Sequence, residues 1–334
     1  MRLSSFVVAV LLICPIFAQA EVFKIATEYP DGNAVLNELR DAGRRIEEMT
    51  EGRLKFKFYP GGVMGDSVAV RRKIRIGQLS GAYIHSTALS YDYKNAQVLN
   101  APLLFRSFEE VDYIRAEFDQ ELNQGFIDHG WQTFGLIEGG FAYAMTTVEV
   151  SKMAELRQQK VWLPANDPLS EKIAKAFDIN PIALNIGDVL TALQTGAINA
   201  IVAPPAGAIV LQWYSRTNFL TDAPFMYVYG VIALSERSLK GVSEEDFDIL
   251  ERELTLTSQR LDKLARLDNI KAFNALPELG LEIVPLTDAL RVDIERDASE
   301  AVEKLIASGE FDADLYSRIV EALGEYRNSS EDGL

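Results

Sequence analysis

The chain has 334 residues, of which 48% are hydrophobic and 25% charged, and 33 Lys+Arg against 49 Asp+Glu give a net charge of −16. This length allows two ordinary domains of about 150 residues, and the apolar and aromatic content excludes an acidic disordered chain. The acidic balance argues against a nucleic-acid partner, which needs a basic surface. One cysteine and two histidines leave almost no material for a zinc site, a disulfide or a thiol nucleophile, so we expect no metal and no cofactor.

Residues 1–20 predict a cleaved export signal rather than part of the fold. They combine a basic start at Arg2, an apolar stretch and a small-x-small ending at residues 18–20, which is the pattern of a secretory signal peptide. The apolar stretch is shorter than the roughly 20 residues of a membrane-spanning helix, although an uncleaved membrane anchor is the alternative. We therefore expect an exported, periplasmic protein that begins at Glu21 and contains no cysteine.

The first half of the mature chain predicts alternating strands and helices. Apolar residues recur at spacings of three and four over 34–49, which favours a helix, and Leu54–Phe58 alternates as a half-buried strand does. A basic cluster over 71–75 predicts a solvated helix face, with a partner-docking patch as the alternative. The predicted elements are a strand over 22–26, a helix over 34–49, a strand over 54–58, a helix through 71–75, a strand over 81–84, a helix over 107–129 and one long strand or two over 133–145.

The second half continues the pattern and contains one very long helix. Ser243, followed by three acidic residues, is a typical helix N-cap, and Asp167 and Gly196 predict a helix start and a helix end. The predicted elements are strands over 160–164, 198–202, 225–235 and 281–284, helices after 167 and over 188–195, 207–214, 243–275, 287–308 and 312–326, and a frayed end over 327–334. The alternation favours an α/β protein with largely parallel sheets.

Two segments carry a resemblance to a known family. Residues 156–164 read Leu-Arg-Gln-Gln-Lys-Val-Trp-Leu-Pro, and residues 188–200 read Asp-Val-Leu-Thr-Ala-Leu-Gln-Thr-Gly-Ala-Ile-Asn-Ala. Together they resemble the signature of the solute-binding proteins of tripartite ATP-independent periplasmic (TRAP) transporters, the DctP-like family. Further matches are Pro60–Asp66, Ala101–Arg106 and the Gly140-Phe141 pair, so the resemblance runs from about residue 22 to 308.

The resemblance implies a two-domain "Venus flytrap" with a long hinge helix and crossing strands, which captures a small molecule in the cleft and delivers it to an ion-coupled membrane permease. Family members are binding proteins, so no enzymatic activity is implied, and the sequence contains no nucleophile elbow, metal cluster or phosphate loop. On this basis we expect domain I over 21–139 plus about 226–265, domain II over about 140–225 plus 266–315, and a C-terminal helix and tail over 316–334.

The sequence departs from the family at the positions that hold a ligand. Most members grip a carboxylate with an arginine in the strand that here contains Trp162, using a bidentate fork. A second arginine position is Ala142, an asparagine position is Ala203 before Pro204, and an aromatic position is Ile186. Polar groups have become apolar together, which predicts a cleft rebuilt for an apolar or amphipathic ligand such as a fatty acid or another lipid-like molecule.

Two alternatives to that interpretation stay open. A neighbouring arginine, Arg157 or Arg216, could replace the lost one and leave an organic-acid binder with a relocated anion site. Drift in a degenerate copy is the other alternative. A branch of the family that works with a tetratricopeptide-repeat protein is thought to handle hydrophobic ligands, and the Trp162 change suggests that branch and that partner.

Five more residues are candidates for ligand contact. Trp213 and Phe141 are aromatic residues near the cleft segments, with a place in the core as the alternative for each. His85 corresponds to a position that often supplies a polar contact, and Glu28 and Tyr29 follow the first strand at a loop that faces the cleft in the family. A lone histidine is more often structural, so His85 is the most open of the three.

Overall fold

The computed structural model describes residues 20–331. The predicted export signal therefore lies outside the described residues except for Ala20. Over the described range, no helix has the length and apolar character needed to cross a membrane.

Within residues 20–331, ten strands form one large mixed sheet and one small sheet. The large sheet has the order β10-β8-β4-β9-β3-β1-β2 with β7 also paired to β4, and β5 and β6 form the small sheet. The strands are β1 (Glu21–Thr27), β2 (Leu54–Tyr59), β3 (Gly81–His85), β4 (Trp131–Thr146), β5 (Trp162–Pro164), β6 (Ile182–Leu184), β7 (Ala200–Ala203), β8 (Phe219–Asp222), β9 (Met226–Ser235) and β10 (Glu282–Pro285).

Helices pack against the strands of the large sheet, with α3 and α9 on β4 and α1 on β2. Most begin at a residue whose side chain accepts a backbone N–H, such as Asn33, Asp66, Ser107 and Asp167. The helices are α1 (Ala34–Met49), α2 (Ser67–Arg75), α3 (Phe108–Asp128), α4 (Met153–Leu156), α5 (Pro168–Ala176), α6 (Val189–Thr195), α7 (Pro205–Val210), α8 (Glu236–Leu239), α9 (Glu244–Ala275), α10 (Asp288–Ala307) and α11 (Ala313–Glu331).

Two strands cross from one half of the molecule to the other. β4 pairs with β9 from Trp131 to Ala142 and then with β7 and β8 from Tyr143 to Thr146. β9 continues the first half by pairing with β3. The pair β4–β9 is antiparallel because the chain goes out along β4 and returns along β9, and the pairs β3–β9, β4–β7 and β4–β8 are antiparallel as well. The pairs β1–β2, β1–β3, β8–β10 and β5–β6 are parallel. The predicted crossing strands are present, but the prediction of largely parallel sheets is wrong for the centre of the large sheet.

The long helix α9, like β4 and β9, extends from one half of the molecule to the other. Its 32 residues extend over about 48 Å, and it packs on α1 in the first half, on β4 in the middle and on α7 in the second half. Asn269 of α9 donates to the Gly139 carbonyl and accepts from the Ala206 N–H. A side chain at Gly140 would collide with Asn269, so glycine is required where the helix approaches the crossing strand. The helix therefore contacts both halves of the molecule, and its role as a hinge stays a prediction.

The C-terminal end differs from the sequence prediction. Residues 327–331 are helical rather than frayed, because Arg327 pairs with the buried Glu110 of α3 at 2.7 Å and donates to the Leu104 carbonyl. The basic cluster of α2 is likewise structural: Arg71 and Arg75 both pair with Asp92. The strands β6 and β8 were not predicted, since segments that short have little periodicity, whereas the equally short β5, β7 and β10 overlap the strands predicted over 160–164, 198–202 and 281–284.

Candidate functional site

A cavity of about 930 Å³ opens between the two halves and is the candidate ligand site, called the cleft below. Its wall takes residues from both halves: the β1–α1 loop, the start of α2 and the end of β3 on one side, and β5, α5, the β7–α7 connection and α10 on the other. Small-molecule sites are typically concave, mostly apolar and about 300–1,000 Å³ in volume. The cleft has the size and character of such a site.

The fixed charges of the cleft are negative. Among the described residues that line it there is no lysine or arginine, and the basic side chain present is His85. Carboxylates and phosphates are ordinarily held by lysine or arginine, so an anionic ligand would meet repulsion rather than a cationic partner. The acidic side chains of the wall are Glu28, Asp66, Asp167, Asp188 and Asp268.

Trp162 and Trp213 come together at the cleft wall. Their rings pack edge to face with centroids 5.0 Å apart, and the side chains are 4% and 3% exposed. The Trp162 indole N–H donates to the Leu184 carbonyl at 3.0 Å, which satisfies its polar atom and turns the ring into an apolar surface. A tryptophan held in this way fixes the wall of the cleft and offers no donor to an anion.

The other apolar candidates of the second half also line the cleft. Ala142 lies in β4, Ala203 ends β7, Pro204 precedes α7, and Ile186 lies before α6. Ala142 and Ala203 are buried, 1% and 4% exposed, and present only a methyl group to the cavity wall. Ligand contact stays a prediction for these residues.

Phe141 is not part of the cleft wall. Its ring packs against Phe108 and Tyr227, with centroids at 4.9 and 5.8 Å, in the main hydrophobic core. Successive side chains of a strand point to opposite faces of the sheet, so the neighbour Ala142 faces the cleft and Phe141 faces away from it. The expectation of a ligand contact at Phe141 is therefore withdrawn.

The first-half candidates form the polar end of the cleft. His85 Nε2 lies 3.9 Å from the Glu28 carboxylate, and the Tyr29 ring stacks on Tyr83 with centroids 5.4 Å apart. Burial raises the pKa of Tyr29 and of Tyr83, so both phenols are neutral hydrogen-bonding groups at ordinary pH. All three predicted residues, Glu28, Tyr29 and His85, line the cavity.

One hydrogen bond joins the two walls across the cleft. The Asn166 amide donates to the Asp66 carboxylate at 3.0 Å, linking the loop before α5 to the N-cap of α2. Asn166 has a left-handed backbone with φ +63°, which asparagine tolerates better than most residues. Beside it, burial raises the pKa of Asp167, whose carboxylate accepts from Ser170. Sequence reasoning missed this contact because Asp66 and Asn166 are 100 positions apart.

The arginines considered as replacements for the missing one lie elsewhere. Arg157 donates to Asp297 at 2.7 Å and to the Phe177 carbonyl at 3.0 Å. Arg216 is exposed and, like Arg157, does not line the cleft. The described residues also hold no group of three or more His, Cys, Asp or Glu side chains arranged to bind a metal.

Two crossing strands, a helix spanning both halves and a cavity between them define a two-domain solute-binding protein. The family model for DctP, described as bacterial extracellular solute-binding protein, family 7, matches residues 25–308. The chain belongs to this family, as the resemblance of the sequence predicted.

Named relatives agree with this family. The sialic acid-binding periplasmic protein SiaP of Vibrio cholerae is 21% identical over 238 residues, covering 70% of this chain and 73% of that protein. The 2,3-diketo-L-gulonate-binding periplasmic protein YiaO of Escherichia coli is 22% identical over 241 residues, covering 72% and 73%.

Solved structures show the same fold. A TRAP periplasmic solute-binding protein of Ralstonia eutropha with bound (S)-2-acetolactate has a TM-score of 0.83 at 17% identity, covering 92% of this chain and all of that chain. One from Pseudomonas putida with bound D-glucuronate has a TM-score of 0.80 at 20% identity, covering 89% and 96%. At such identities the likeness establishes the two-domain TRAP fold.

Proposed function

We propose that this chain is the periplasmic solute-binding subunit of a TRAP transporter and that its ligand is predominantly apolar or amphipathic. The observation that carries the ligand class is the cleft itself: it has no lysine or arginine on its described wall, and Trp162 is buried at the position where the resemblance of the sequence implies a carboxylate-gripping arginine. The family and fold support the role, and this chain's own cleft supports the ligand class.

The energetics of the cleft favour that class. A ligand carboxylate buried without a cationic partner loses about 2–5 kcal/mol, which lowers affinity by more than about tenfold. Apolar surface gains about 25 cal/mol for each Å² removed from water, and the wall offers two tryptophans and many aliphatic side chains. Carboxylates on the same wall add repulsion for an anion.

The comparisons favour a second candidate, a binder of organic acids. The relatives named above bind sialic acid and diketogulonate by name, and the solved proteins hold acetolactate and glucuronate. For an acid, His85 is the basic side chain at the described wall, and its protonated form would have to carry the anion. The relatives thus support an organic acid better than an apolar ligand, whereas the absence of lysine and arginine from the described cleft wall is the observation against an acid in this chain.

The same proposal includes a closing motion. Domain I over 21–139 plus about 226–265 and domain II over about 140–225 plus 266–315 would close about α9, β4 and β9, removing the ligand from water and presenting a joint surface to the membrane permease. Export through a cleaved signal at 1–20 belongs to the proposal. The tetratricopeptide-repeat partner stays a prediction of the sequence.

The test is mass spectrometry of the purified mature protein, first native and then after extraction with organic solvent. A retained lipid-like molecule, absent from Trp162→Arg, supports the apolar ligand. A retained small organic acid overturns it in favour of the second candidate. If the protein purifies empty, titration with D-glucuronate and with the uncharged dodecanol decides between the two classes.

A further inference from the structure

Two helices of the second half, α5 and α10, pack on each other and together form part of the wall of the cleft. Leu169 and Ile173 of α5, Phe177 at its end, and Leu290 and Ile294 of α10 all line it. All five side chains are buried and belong to the main hydrophobic core cluster. We call this part of the cleft the α5–α10 chamber. A core side chain ordinarily contacts other core side chains, so a wall made of them continues the hydrophobic core into the ligand site.

The polarity of the wall changes along the length of the chamber. Leu169, Ile173 and Phe177 recur every four residues and therefore lie along one face of α5, over about 12 Å of helix axis. At the start of that helix lie the polar groups of the cleft: the N-cap Asp167 and the Asn166 bond to Asp66. The wall thus changes from polar to wholly apolar along α5.

We infer that the α5–α10 chamber holds the aliphatic tail of an elongated ligand whose polar group lies at the Asp66–Asn166 end. This inference rests on the proposed function and adds where the tail lies and what limits its length. The apolar groups of Leu169, Ile173, Leu290 and Ile294 contribute no hydrogen bond, so recognition in the chamber depends on length and volume. A ligand is selected there by how many methylene groups it buries.

The experiment is calorimetric titration of the full mature chain with octanol, decanol and dodecanol, and with the matching fatty acids octanoate, decanoate and dodecanoate. Affinity is expected to rise about fourfold for each methylene added, until the chamber is filled. The alcohols and acids share tails and differ in charge, so the two series separate the contribution of the tail from that of the polar group.

The deciding variant narrows the chamber. Ile294→Trp places an indole in the wall and is expected to weaken dodecanol by roughly tenfold or more, the value of about two unburied methylenes, while octanol changes little. Val292→Trp is the matched control, because Val292 lies on the same helix and is 62% exposed; its length dependence should equal that of the unmodified chain.

Ile294→Ala guards against a folding defect of the tryptophan variant. It enlarges the chamber and is expected to keep affinity rising at chain lengths where the unmodified protein has reached its limit. An Ile294→Trp protein that folds and keeps the unmodified length profile overturns the chamber. An unmodified protein that binds D-glucuronate and neither alkyl series overturns the proposed ligand class itself, so the two failures are distinguishable.

Discussion

Two interior regions of this protein differ in whether their charged side chains are paired. Where α3, β4 and α9 meet, charges are buried in pairs: Arg115 contacts Asp262 at 2.7 Å, and Arg266 contacts the fully buried Glu138 at 2.6 Å. In the cleft, the described wall has carboxylates and His85 but no lysine or arginine. The two regions share β4: its residue Glu138 lies in the charged region where α3, β4 and α9 meet, called the junction below, and its residue Ala142 lines the cleft.

The contrast shows which part of the interior is complete without a ligand. A buried charge needs a partner and hydrogen bonds to offset its lost hydration, and the junction supplies both from its own chain. Burial raises the pKa of Glu138, although Arg266 donates to its carboxylate, so the pair depends on a close fit. The cleft leaves volume and apolar wall unmatched, and a ligand must complete it.

The largest effect is expected from breaking the junction. Arg266→Met removes the partner of Glu138 and leaves a buried carboxylate unpaired, which should lower the free energy of unfolding by about 3–5 kcal/mol. Urea denaturation measures the change. Arg260→Met is the control, because Arg260 pairs with Glu38 in an exposed position and should cost at most about 1 kcal/mol. An equal decrease in the free energy of unfolding in the two variants would show that the buried Arg266–Glu138 pair stabilises the protein no more than the exposed Arg260–Glu38 pair does.

The next effect concerns the apolar wall. Trp162→Arg places a cation in a site that is 4% exposed. The acceptor that Trp162 uses there is the Leu184 carbonyl, and among the described residues no carboxylate pairs with it. Binding of dodecanol should weaken by more than about tenfold, because a buried unpaired charge costs several kcal/mol. Trp162→Phe keeps the wall apolar and should lose much less. Unchanged dodecanol affinity in Trp162→Arg would mean that Trp162 does not face the ligand.

A smaller effect is expected at the bond across the cleft. Asn166→Gly keeps the left-handed backbone and removes the amide that donates to Asp66, at a net cost of about 0.5–1.5 kcal/mol. We expect dodecanol to dissociate up to about tenfold faster in stopped-flow measurements. Glu51→Gly relaxes another left-handed position, φ +51°, at an exposed side chain away from the cleft wall, and should leave the rate unchanged. If dodecanol dissociates from Asn166→Gly as fast as from the unmodified protein, the Asn166–Asp66 bond does not stabilise the closed form.

The smallest effect lies at the outer end of α9. The Arg53 guanidinium hydrogen-bonds Asp246 and lowers the pKa of that carboxyl below its ordinary value. A lowered folded-state pKa stabilises the protein at pH values above the ordinary aspartate value of about 3.9, and this contribution is lost as pH falls through the lowered value. Asp246→Asn should therefore reduce the urea midpoint at neutral pH and flatten its fall in acid. The control Asp248→Asn, at an exposed position of the same helix, should keep the acid fall; an equally steep fall in Asp246→Asn would contradict the pairing.

Local patterns predicted most of the regular structure. The helix over 34–49 and the Ser243 cap of α9 follow from apolar spacing and a capping side chain, which are properties of adjacent residues. The crossing of β4 and β9 was anticipated from the resemblance, whereas their antiparallel pairing was not. Register between distant strands depends on where the chain returns, and no short segment encodes that.

The sequence by itself determined the class of protein and the alternation of strands and helices, because both depend on residue types at short spacing; that Trp162 stands in place of an arginine is what the resemblance implies. Only the tertiary structure decided that Phe141 faces the core while Ala142 faces the cleft, that Arg157 is bound to Asp297, and that α5 and α10 contribute to the cavity wall. The physical reason is that Leu169, Ile173 and Phe177 have the same spacing whether they pack on another helix or line a ligand site. A periodic apolar face shows that a side chain is buried, and only its neighbours in space show what it is buried against.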